Sequence, residues 1–112
     1  MGIKMNDNSN LFNEIQKQIE AAQKKGLPIK TLVKQQIALL QESHDEFIKT
    51  AQKQGYDLNN PRVGDIEVQQ YSAMKQLAQK IGMPVETYDK LIKDVRIRIF
   101  GEENYKRYFE DN

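Results

Sequence analysis

Ala22-Gln23-Lys24-Lys25-Gly26-Leu27-Pro28-Ile29-Lys30-Thr31 and Ala78-Gln79-Lys80-Ile81-Gly82-Met83-Pro84-Val85-Glu86-Thr87 are two versions of one ten-residue phrase. Six of the ten positions are identical, and the Leu/Met and Ile/Val exchanges are conservative. The phrase reads as the end of one helix and the start of the next. A lysine in the last turn suits the negative pole of the helix dipole. Glycine then takes the positive φ of a C′ residue, an apolar side chain packs back, and proline stops read-through. A third fragment, Ala51-Gln52-Lys53-Gln54-Gly55, carries the first half of the phrase. Convergence on one good helix stop explains all three copies. Duplication of a helical hairpin is the sharper alternative, but the flanking residues match poorly.

Between these stops the apolar residues recur at helical spacing. Leu11, Phe12, Ile15, Ile19 and Ala22 place a first helix over about Asn10 to Lys25, with Asn8, Ser9 or Asn10 as its N-cap. Leu32, Val33, Ile37, Leu40, Phe47, Ile48 and Ala51 place a long second helix near Ile29 to Gln54. Tyr56 to Gly64 reads as a loop, because Asp57, Asn59, Asn60, Pro61 and Gly64 are turn formers. Asp65 is then expected to cap a third helix with Ile66, Tyr71, Met74, Leu77 and Ile81 on one face. The fourth carries Val85, Tyr88, Leu91, Ile92, Val95 and Ile99 and stops near Gly101. Tyr105, Tyr108 and Phe109 mark a short final helix. Within the fourth helix, residues 95–100 alternate apolar and basic as a half-buried strand would. Helical period continues through Ile99, and the chain offers no strand partner, so helix is the reading.

The expected fold is therefore all-α: four main helices in two hairpins, about 10–55 and 65–100, plus a short C-terminal helix. Residues 1–9 are expected to form a flexible tail and residues 10–112 a single domain.

Composition narrows function mainly by exclusion. The 112 residues carry 17 Lys plus Arg against 16 Asp plus Glu, a formal charge of +1, which gives no long-range steering towards nucleic acid or an anionic membrane. With no Cys there is no disulfide framework, thiolate metal site or cysteine nucleophile. No apolar run approaches the roughly 20 residues of a membrane span. The first ten residues are polar, unlike a secretory signal. The myristoylation pattern fails at Asn6. A cytoplasmic location without membrane association is the expectation.

Several constellations invite chemistry and fail. His44 is the only histidine, and Gln41 and Ile48 at helical spacing from it are not metal ligands. A half-buried packing histidine between Leu40 and Phe47 is the plainer reading. Asp57-Leu58-Asn59-Asn60-Pro61-Arg62 opens like a calcium loop but has Arg62 in place of glycine and Val68 in place of the closing glutamate. No phosphate-binding glycine loop, dinucleotide fingerprint or nucleophile elbow occurs. No cofactor, metal site or catalytic residue is expected, and the protein reads as a non-enzyme.

Two binding readings stand. The first is a helical protein acting on another protein, as an inhibitor, adaptor or immunity-type regulator. Homodimerisation is a further expectation, because the second helix is long for a chain of this size. The second reading is a helix-turn-helix DNA-binding regulator over residues 77–93. Ala78 is the small residue, Gly82 the turn, and Leu77, Ile81, Met83, Tyr88 and Leu91 fill the apolar positions. Glu86 and Asp89 on the would-be recognition helix oppose phosphate binding. The candidate contact residues for either partner are Lys90, Lys93, Arg96, Arg98, Tyr105 and Tyr108.

Overall fold

The computed structural model describes residues 9–110. The chain is all-helical: α1 (Ser9–Lys24), α2 (Lys30–Lys53), α3 (Pro61–Lys80), α4 (Glu86–Phe100) and a short α5 (Glu102–Tyr105) that runs into one π-helical turn (Lys106–Glu110). The expected tail up to residue 8 lies outside the described residues, and Ser9 is already helical. Residues 95–100 are helix, not strand.

All three glycine stops adopt the same cap. Leu27 N–H donates to Ala22 C=O and Gly26 N–H to Gln23 C=O. The pairs Tyr56–Ala51 and Gly55–Gln52 repeat that pattern, as do Met83–Ala78 and Gly82–Gln79. This is the two-bond Schellman closure, with glycine at φ 72, 83 and 71°. Re-entry is also shared: Ile29 and Val85 precede α2 and α4 in near-helical conformation, with no side-chain cap. The repeated phrase is thus a repeated backbone conformation.

The start of α3 departs from expectation. Asp65 does not cap it; Asn60 does, its side chain accepting from Arg62 N–H at 2.9 Å, with Pro61 in the first turn. Asp57 accepts from Asn59 N–H at 2.8 Å and closes the preceding turn. Pro61 is favoured at a first helical position, where its missing N–H costs nothing. Gly64, expected in the loop, lies inside α3. A Cβ there would sit 2.6 Å from Ile99 Cγ1, so glycine is what lets α4 approach.

Consecutive helices pack on one another in a flattened body of 46 × 39 × 17 Å. One core joins Ile15 and Ile19 of α1, Val33 and Leu40 of α2, Tyr71, Met74 and Leu77 of α3, and Ile92 and Val95 of α4. A smaller cluster of Phe47, Ala51 and Val63 closes the far end of the α2–α3 pair. No helix among the described residues is long and apolar enough to cross a membrane.

Candidate functional site

Two places hold more than generic packing. One is polar and internal; the other is apolar and open.

The polar cluster lies between α2 and α3. His44 follows Leu40 and precedes Phe47 and Ala51 on the buried stripe of α2. Glu67 and Gln70 lie on the buried stripe of α3, between Val63 and Met74. His44 Nδ1 meets Gln70 Oε1 at 2.5 Å, and the Tyr71 hydroxyl meets Nε2 at 3.0 Å. The neutral tautomer with Nδ1–H satisfies both contacts, donating to Gln70 and accepting from Tyr71. The Tyr71 and His44 rings are 4.6 Å apart. Burial, then the charges of Glu67 and Asp45, hold the Tyr71 phenol above its ordinary pKa, against the opposing pull of Arg98. Next to it, Arg98 of α4 donates through Nη2 to Glu67 and through Nε to Leu58 C=O, the latter at 3.1 Å. His44 is 4% and Gln70 3% exposed, so both are shielded from solvent. Gln70 Nε2 is buried without a protein partner among the described residues. His44 lies on the buried stripe between Leu40 and Phe47, where the sequence reading placed it, but it is fully buried rather than half-buried and hydrogen-bonded at both ring nitrogens.

The open site is a groove of about 530 Å³ between the first half of α3 and the second half of α4. Val68, Val95, Ile99 and Phe100 make its apolar surface, and Arg62, Asp65 and Arg96 supply its charges. Phe109, brought back by the C-terminal turn, closes it in part. Three of the large exposed apolar side chains belong to this corner: Phe100 at 45%, Tyr108 at 64% and Phe109 at 39% exposed. The C-terminal turn rests on α4. The Arg96 guanidinium lies 4.5 Å from the Phe109 ring centre, and Lys93 Nζ lies 5.5 Å from that of Tyr105. Lys93 also pairs with Glu110 at 3.2 Å, and that hydrogen bond raises the lysine pKa.

The six candidate contact residues therefore divide. Lys93, Arg96 and Tyr105 meet in the C-terminal turn beside the groove. Arg98 is turned to Glu67 and holds the fold together. Lys90 and Tyr108 are exposed. None of Arg62, Asp65 and Val68 is a site residue in the sequence reading: Arg62 falls in the expected loop, Asp65 is given a capping role, and Val68 lies off the expected apolar face of the third helix. Asn60-Pro61 was the available signal: a capping type followed by proline at a first helical position. Among the described residues no cluster of His, Asp and Glu could hold a metal. No protein-family model, curated protein or solved structure matches this chain.

Proposed function

We propose that this chain is a non-enzymatic binding protein that acts on another protein through the groove between α3 and α4. The carrying observation is the apolar surface of Val68, Val95, Ile99 and Phe100, edged by exposed Phe109 and flanked by Arg62, Asp65 and Arg96. An apolar centre with a charged rim and aromatic and arginine anchors is the anatomy of a protein interface. Against catalysis, Asp65 is the only carboxylate among the described residues that line the groove, and none of those residues is a histidine. A regulator of the inhibitor or adaptor kind fits such a surface.

The test is selection of binding partners from a displayed library of amphipathic peptides. Wild-type protein should enrich sequences with an aromatic anchor, and Val68→Glu should lose them while keeping the wild-type helical circular dichroism. Equal enrichment by both proteins would overturn the reading.

Helix-turn-helix DNA binding over residues 77–93 has the corner in its favour, with Ala78 fully buried and Gly82 at φ 71°. The charges weigh against it. Lys75 pairs with Asp89 at 2.5 Å, Lys93 with Glu110 and Arg98 with Glu67, while Arg96 lies on Phe109. Of the basic residues in 71–100, that leaves Lys80 and Lys90 without a partner among the described residues. Steep salt-dependent retention on duplex DNA, abolished by Lys90→Glu with Lys93→Glu, would reverse this preference.

A further inference from the structure

The C-terminal arm, Glu102–Glu110, is joined to α4 by a single residue in a special conformation. Gly101 has φ 86° and ψ 155°, a region open almost only to glycine. The residues on both sides are helical. A helical residue 101 would fuse α4 and α5 into one rod and carry Phe109 about 13 Å along the axis, out of its own groove.

In the closed form the arm's ring and ion-pair contacts among the described residues are to α4 and within itself, and Phe109 lines the groove alongside residues of α3. Phe109 packs 5.7 Å from Phe100 and 5.4 Å from Tyr105, with Arg96 over its ring, and Glu110 meets Lys93. None of these contacts requires that arm and groove belong to one chain. A straightened arm leaves a bare apolar groove and a free segment that fits it. The chemistry of the fit is explicit: an aromatic ring for Arg96 and the groove, followed by a carboxylate for Lys93.

Accepting the groove as the docking surface, we propose that a second copy of this chain is a partner, engaged by reciprocal exchange of the Glu102–Glu110 arms about Gly101. The exchanged pair has twofold symmetry, since each copy gives the same segment and receives the same segment. The closed arm holds the monomer at low concentration, because an attached segment has the higher effective concentration. It also competes with any other protein for the groove.

Sedimentation velocity of the full chain over a thousandfold concentration range tests this. Gly101→Ala disfavours the closed hinge without a clash, since nothing among the described residues lies within 4 Å of the added Cβ. It should raise the dimer association constant at least tenfold over wild type. Adding Phe109→Ala or Arg96→Ala to it should restore the monomer. Gly101→Ala remaining monomeric, or its dimer surviving both second substitutions, would overturn the exchange. A labelled synthetic Glu102–Glu110 peptide separates the two claims. If it binds monomeric Gly101→Ala and is lost with Val68→Glu, the groove stands without the exchange. If neither peptide nor dimer forms, both fail.

Discussion

Gly64 of α3 packs against the Ile99 side chain of α4, and helix propensity and packing make opposite demands there. Alanine in a helix interior is favoured over glycine by about 1 kcal/mol. At this position the added methyl would lie 2.6 Å from Ile99 Cγ1 and 2.9 Å from Cδ1. Ile99 is β-branched and stiff, so overpacking at a cost of about 1–3 kcal/mol outweighs the propensity gain. Gly64→Ala should lower the urea midpoint, whereas in an Ile99→Ala background the same change should raise it. That double-mutant cycle reads the contact directly. Arg98 is the second residue with a disproportionate role. The Glu67 side chain is 5% exposed, and Arg98 is its ion-pair partner. Arg98→Ala strands that carboxylate at a cost on the order of 3 kcal/mol. Chemical denaturation should show the loss, and Arg98→Ala with Glu67→Gln should be more stable than Arg98→Ala alone.

The helices owe their ends to local chemistry and their pairing to their neighbours. Gly26 and Gly82 close α1 and α3 with the same two hydrogen bonds, and an added Cβ meets none of the described residues within 4 Å at either position. Replacement by alanine therefore costs only backbone strain, about 1 kcal/mol at each. Thermal denaturation of Gly26→Ala and Gly82→Ala should give losses of similar size, although Leu27 at the first corner is exposed and Met83 at the second is half-buried. Such ends are legible in sequence because each cap is written within a few consecutive residues. The start of α3 is also written locally, in Asn60-Pro61. It is misread as loop because Gly64 resembles a turn residue until its neighbour Ile99 is known. Pairing of α2 with α3 has a fainter trace: His44 on one buried stripe and Gln70 on the other are polar interruptions that meet, while Glu67 finds its partner in Arg98 of α4.

The assembled molecule places a titrating phenol in its interior. Tyr71 holds its proton more tightly when folded than its ordinary value of 10.0 allows, first through burial. Its contribution is complete below that value and is lost as pH rises from there through the folded pKa. Tyr88, also raised by burial, acts in the same direction. Stability measured by urea should fall above about pH 10, and Tyr71→Phe should reduce that slope. At neutral pH the same change should cost about 1–2 kcal/mol by leaving His44 Nε2 without its donor. Helix number, the glycine helix stops and most of the apolar core were readable from the chain alone, because periodicity and C-terminal caps are short-range properties of consecutive residues. The groove was not, nor the roles of Arg98 and Gly64. Each depends on which side chains from distant segments share a few ångströms, and no local pattern encodes that distance.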